Sequence, residues 1–339
     1  MNSLNSPSDP EGQSPTPPGF AELMPDVILD ALFEIGIRGD GRLLPLNSYE
    51  NRVYLVYGQD EPDVVVKFYR PARWSDEQIA EEHAFALELI EQEIPVVAPK
   101  VINGQTLHRH AGLRFAVYRR AGGRAPELDK PEVLEWLGRF LGRIHQVGRR
   151  QAFLTRPSID VAAYAVEPRD FLLNHDWVPA DLLPSWRAVV DQCIDAANAA
   201  FADAGEISVL RTHGDCHLGN VLWTDDGPHF VDLDDARMAP AIQDLWMLLS
   251  GDRASMTRQL SDVLAGYEDF AEFDRRELRL LEPLRTLRLI HYSAWIARRW
   301  HDPAFKTAFP WFESHRYWQD RILELREQLG TMSEESLYV

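Results

Sequence analysis

Between Arg211 and Asp235 the chain reads RTHGDCHLGNVLWTDDGPHFVDLDD, with His213, Asp215 and Asn220 ahead of a hairpin-like stretch and Asp232, Asp234 and Asp235 behind it. These types at these spacings suit phosphoryl transfer. Asp215 can orient an attacking hydroxyl and accept its proton. Asn220 and Asp232 supply oxygens suited to a hard cation such as Mg²⁺ on the phosphates of ATP. Asp232 lies among Phe230, Val231 and Leu233, and a carboxylate in a buried apolar run is costly unless it meets a cation or several donors. Asp232 is therefore assigned to both catalysis and metal binding. Asp234 shares its face if the strand continues, which makes it a further metal candidate, while Asp235 caps or pairs locally. His213 is expected to hold the loop by hydrogen bonding, and His217 is given no role. A lone Gly-Asp would be ordinary turn chemistry; the partners at fixed offsets favour the catalytic reading.

Several elements must position these residues. PDVILDALFEIGI, from Pro25, has helical spacing, with Pro at its start and Gly36 at its end. RVYLVYG (52–58) and DVVVKFYR (63–70) read as a β-hairpin. SDEQIAEEHAFALELIEQEI is an amphipathic helix stopped by Pro95 and Pro99, and VINGQTLHRHAGLRFAVYRR adds two or three strands. Gly122 and Gly123 read as a hinge. Beyond them the pattern is mainly helical, interrupted by NVLWT and HFVDLD around an Asp-Asp-Gly turn. The expected architecture is α+β: a disordered tail over 1–20, a lobe over 21–121 with a small antiparallel sheet and one helix, and a helical lobe over 122–339 carrying the catalytic hairpin. Lys67, in VVVKFYR, must either snorkel to water or meet an anion. In LNSYENRVY, Ser48, Glu50 and Asn51 offer hydroxyl and backbone N–H contacts to phosphates. Asp244, in QDLWMLL, is either a helix cap or a buried anchor for the catalytic loop, and the anchor is preferred.

The 339 residues carry a formal charge of −18, which argues against a nucleic-acid binder. Two cysteines, Cys193 and Cys216, imply no disulfide framework and a cytoplasmic setting; Cys216 reads as a structural thiol rather than a redox sensor. No apolar run of about 18 residues suggests a membrane span. The Ser/Pro-rich N-terminus is not a secretory signal. A monomer is expected.

H-G-D-x-x-x-x-N resembles the protein-kinase catalytic loop H-R-D-x-x-x-x-N, and Asp232 stands where kinases carry the Asp of D-F-G. Kinases also place a Lys such as Lys67 on the third strand, tethered by a Glu of the next helix. That helix offers Glu81 and Glu82, which periodicity does not separate; Glu82 is chosen. The chain lacks G-x-G-x-x-G and A-P-E motifs, and only LDDARMAPAIQ separates Asp232 from Asp244, so a long phosphorylated activation loop does not fit. HGDCHLGN, VDLDDA and QDLW together resemble the aminoglycoside-phosphotransferase and choline-kinase-like superfamily. LNSYENRVY, VVKFYRP, EEHAFALELI, PAIQDLWMLLSGD, LEPLRTLRL and RRWHDPAF look like the bacterial stress response kinase A family, from about residue 24 to near the C-terminus. The resemblance implies a two-lobed protein-kinase-like fold and an ATP- and Mg²⁺-dependent serine/threonine protein kinase of the stress response. It implies Asp215 as proton acceptor, Asn220 and Asp232 on the metal, Ser48 at the ATP site, a protein substrate and possible autophosphorylation. The competing readings are a kinase for an amino alcohol, sugar or related metabolite, and a non-catalytic ATP-sensing or scaffold protein. The intact metal ligands speak against the second. Arg285, Arg288, Arg298 and Arg299, near Trp295, could line a groove for an acidic acceptor, whereas Trp295 itself is expected in the core.

Overall fold

The computed structural model describes Phe20 and residues 23–339. Apart from Phe20, the expected disordered tail lies outside the described residues. In chain order the elements are α1 (Pro25–Glu34), β1 (Gly39–Leu46), β2 (Arg52–Gly58), β3 (Val64–Phe68), α2 (Asp76–Glu91), β4 (His108–His110), β5 (Leu113–Arg119), α3 (Pro131–Gly148), α4 (Glu167–Asn174) and α5 (Leu183–Ala204). There follow β6 (Leu210–Thr212), β7 (Val221–Thr224), β8 (Gly227–Phe230), β9 (Arg237–Ala239), α6 (Ile242–Trp246), α7 (Arg253–Tyr267), α8 (Leu281–Arg298), α9 (Pro303–Ala308) and α10 (His315–Met332). This is the α+β, protein-kinase-like fold expected. Contacts group the described residues into two units, one running through Ser75 with Lys100–Tyr118, the other formed by Asp76–Pro99 and Arg119–Val339.

The first unit is a five-stranded sheet in the order β1-β2-β3-β5-β4. In β3 the period of two puts Val64, Val66 and Phe68 on one face, where Ile28, Ala31 and Leu32 of α1 pack against them with Leu113, Phe115 and Val117 of β5. Lys67 therefore lies on the opposite face. β1 was not anticipated: GDGRLLPL carries glycines and a proline and no apolar alternation. It is an edge strand, exposed at most positions, where a missing N–H is tolerated.

The second unit buries a large helical core. In it α3 crosses α7 at close range. A Cβ added at Gly138 would sit 1.9 Å from the Val263 carbonyl oxygen, and one at Gly142 2.6 Å from that of Tyr267, so only glycine permits the approach. Gly123 of the expected hinge backs onto the catalytic hairpin, where Arg124 bridges to Trp223 through two backbone hydrogen bonds of 3.0 and 2.7 Å. β7 and β8 form that hairpin, and β6 pairs with β9. The strand expected through Asp234 stops at Phe230. Asp232 is left-handed (φ 59°, ψ 62°) and opens a 3₁₀ turn over Leu233–Asp235. Asp232 and Asp234 thus do not share a strand face: Asp232 is exposed and Asp234 is buried.

Candidate active site

The loop after β6 carries His213, Gly214 and Asp215. The His213 and Gly214 N–H groups donate to the two carboxylate oxygens of Asp244, at 2.8 and 2.9 Å. Asp244 is fully buried and is the anchor expected rather than a mere cap. His145 of α3 donates to the same carboxylate from Nε2 at 2.9 Å, which leaves Nδ1 to accept from the Tyr267 hydroxyl, also at 2.9 Å. Gln243 adds a 3.0 Å bond to the Gly214 carbonyl. Gly214 itself has φ +81°, and a Cβ there would lie 2.1 Å from the Asp235 carbonyl oxygen, so the catalytic loop and the Asp232 turn approach through a glycine. His213 bonds through Nε2 to the Val231 carbonyl at 2.9 Å, in the holding role expected.

Asp215 is half-buried. Its Oδ2 lies 3.5 Å from Nε2 of His217, and its Oδ1 lies 2.6 Å from Nη1 of Arg288 on α8. The Arg288 contact lies off hydrogen-bonding geometry, and Oδ1 stays a buried acceptor with no hydrogen bond. His217, given no role from sequence, accepts the Gly219 N–H on Nδ1 at 2.9 Å, so its Nε2 carries the proton that faces Asp215. Burial opposes ionisation of Asp215, but the His217 bond and the Arg288 charge outweigh it and hold the carboxyl below its ordinary range.

Asn220 donates from Nδ2 to the Asp215 backbone carbonyl at 2.9 Å, which leaves its Oδ1 available to a cation. Among the described residues no cluster of three or more His, Cys, Asp or Glu forms a closed metal cage. An amide oxygen with one exposed carboxylate, Asp232, instead fits a hard cation that shares its shell with phosphate oxygens and water. Asp234 has different surroundings. Arg156, buried, donates from Nη2 to the Asp234 carbonyl and from Nε to that of Ala236 at 2.6 Å, and Glu82 and Asp234 are the main acidic charges that offset its burial. Arg156 also reaches the Gln78 carbonyl of α2 at 2.9 Å, tying that helix to the Asp232 turn. Asp235 pairs locally with Arg237 at 3.7 Å, as expected.

Glu81 and Glu82 separate clearly. The Glu81 carboxylate accepts the N–H groups of Leu154, Thr155 and Arg156 and the Thr155 hydroxyl, all within 3.2 Å. Glu82 is buried, 4.0 Å from Arg156. In the first unit Lys67 is buried, with Nζ 5.1 and 5.8 Å from the ring centres of Tyr69 and Tyr118. Ser48 Oγ accepts the Asn51 N–H at 3.3 Å, and the Asn51 side-chain Oδ1 accepts the Arg70 N–H at 3.0 Å, so this turn is braced by its own polar side chains. Cys216 is fully buried, and burial pushes its thiol well above the ordinary range, as befits a structural thiol. Trp295 packs on Phe305, ring centres 5.0 Å apart, and Arg298 lies over Phe171 at 4.9 Å. No helix among the described residues is long and apolar enough to cross a membrane.

A loop of this build on this fold defines a phosphotransferase, and the Phosphotransferase enzyme family (APH) matches residues 42–281. Within that class the chain belongs to the stress response kinase A family. It is 50% identical over 318 residues to Stress response kinase A of Escherichia coli (strain K12), covering 94% of this chain and 96% of that protein. It is 48% identical over 318 residues, with the same coverage, to the Serine/threonine protein kinase RdoA of Salmonella typhimurium (strain LT2). Among solved structures, Amicoumacin kinase hAmiN in complex with AMP-PNP, Ca²⁺ and Ami aligns over 88% of this chain and 91% of its own, with TM-score 0.67 and 17% identity. The fold is shared at that distance.

Proposed function

We propose that this kinase is an ATP- and Mg²⁺-dependent serine/threonine protein kinase of the bacterial stress response. The observation that carries the proposal is Asp215: a carboxylate kept ionised, held on a loop clamped by Asp244, with Oδ1 beside Arg288 and not engaged in any hydrogen bond. Mg²⁺ bound with ATP would screen the charge that builds on the phosphates during transfer. Asn220 and Asp232 would hold that ion, and the kinase pattern assigns Ser48, Asn51, Lys67 and Glu82 to nucleotide binding. The last assignment rests on the kinase pattern and on Glu81 being occupied by residues 154–156. Asp215 would aim the acceptor hydroxyl and take its proton as the new P–O bond forms and the bond from the γ-phosphorus to the bridging oxygen breaks, releasing ADP. The protein acceptor is favoured by the name of one relative, the Serine/threonine protein kinase RdoA, 48% identical over 94% of this chain.

A second reading, a small-molecule kinase of the same fold, is favoured by the likeness to an amicoumacin kinase. Labelled γ-phosphate transfer, run with a mixed protein substrate and with a panel of amino alcohols and sugars, separates them. Label in phosphoserine or phosphothreonine, including that of the kinase itself, is the expected result. Label confined to the small molecules would replace the first reading by the second.

A further inference from the structure

Arg288 stands beside Asp215 with two fifths of its side chain exposed. An ion pair this open contributes roughly 0–1 kcal/mol to stability, so stability does not account for a guanidinium placed on the candidate catalytic carboxylate. Only its Nη1 is engaged; among the described residues Nε and Nη2 carry no bond or ion pair. A guanidinium has two usable edges and can serve two anions at once.

Its surroundings point the same way. One turn along α8, His291 stacks flat on Tyr164, ring centres 4.3 Å apart and planes 18° from parallel, and Arg237 lies 5.1 Å from the same ring. Tyr164 belongs to a π-helical turn over Ala162–Val166, a distortion that gathers at functional positions. Burial, aided by Arg237, Arg298 and Arg299, pushes His291 down to about 3, so its ring adds no charge of its own. The result is a neutral aromatic wall beside a half-open cation, in a chain whose formal charge is −18.

We propose that Arg288 recognises the acceptor: it holds Asp215 through Nη1 and offers its remaining edge to an anionic group carried beside the acceptor hydroxyl, with the Tyr164–His291 stack flanking it. This rests on Asp215 being the carboxylate that meets the acceptor. For a protein acceptor the anion is an Asp or Glu next to the phosphorylated Ser or Thr. The same chemistry in a small acceptor is a hydroxy acid.

The test uses the full chain and two acceptor pairs: a Ser peptide with a neighbouring Asp against its Asn counterpart, and glycerate against glycerol. Wild type, Arg288→Lys and Arg288→Met are compared by the ratio of kcat/KM for the anionic and neutral members, so that any common fall in activity cancels. A charge-assisted bond predicts a wild-type ratio of roughly tenfold or more, expressed in KM. It should collapse to near one in Arg288→Met and stand between in Arg288→Lys, with thermal unfolding checking that the variants fold. A wild-type ratio near one, or a ratio unchanged in Arg288→Met, overturns the proposal. Peptides unlabelled while glycerate shows the Arg288-dependent ratio would sink the protein-kinase reading and leave Arg288 standing. Peptides labelled without charge preference would do the reverse. Transfer to none of the four acceptors would overturn both.

Discussion

Asp215 meets a donor from its own loop, His217, and a cation from α8, Arg288. Both favour the ionised form, and a carboxylate in such a setting is suited to aiming a hydroxyl rather than to acting as a strong base. Asp215→Asn keeps the shape and one oxygen but removes the charge. We expect transfer to fall by at least about a thousandfold while ATP affinity stays within a few fold, measured by single-turnover transfer and by calorimetry. Full activity in that variant would refute the assignment. Asp232→Ala should act on binding instead. Removing one of two protein ligands should weaken Mg²⁺-ATP binding about tenfold or more, with little effect on nucleotide affinity measured without metal. Equal loss with and without Mg²⁺ would rule Asp232 out as a metal ligand.

At the scale of elements, the catalytic loop is held by parts that are distant along the chain. α6 supplies Asp244, α3 supplies His145, and α7 supplies Tyr267. The chain Tyr267–His145–Asp244 joins only because α3 and α7 cross at glycines. Gly138→Ala would press a methyl group against the Val263 carbonyl and push the two helices apart. A loss of about 2–3 kcal/mol in stability is expected, together with a fall in turnover as His145 is drawn from Asp244. Chemical denaturation and turnover measured on the same preparation check both. If stability fell and turnover per folded molecule held, the crossing would matter for packing alone.

At the scale of the whole molecule, one buried acid couples stability to pH. Glu277, buried between α7 and α8, accepts the Ile242 N–H at 2.8 Å at the start of the helix that carries Asp244. Burial pushes its carboxyl up to about 7 from an ordinary 4.5. Between those values the folded chain binds more protons than the unfolded one, so this group makes stability fall as pH rises through the window. Glu277→Gln keeps an oxygen for Ile242 and does not titrate. It should be more stable than wild type at pH 8 by roughly 2 kcal/mol, with the difference shrinking towards pH 5, as read from urea midpoints. A variant that retained the wild-type slope would place the titration elsewhere.

The fold and the residues of the candidate loop were legible in the sequence because both are local. The valine run of β3, the amphipathic α2, and His213, Asp215 and Asn220 within eight residues all follow from local composition, periodicity and turn chemistry. Even Asp244 could be singled out, since it heads an apolar helix. Other features required the tertiary structure. The strand ending at Phe230, which separates exposed Asp232 from buried Asp234, follows from the left-handed turn that packs against Gly214. Edge strand β1 has no pattern to read because it faces water. His145 lies 99 residues from the Asp244 it orients, and in sequence it is one more residue on an apolar helix face. Among the arginines of the distal helix, only packing shows that Arg288 reaches Asp215 while Arg298 covers Phe171. Sequence patterns report the face a residue takes on its own element. Which residue it meets is decided by how helices distant in the chain pack together, and no local period encodes that.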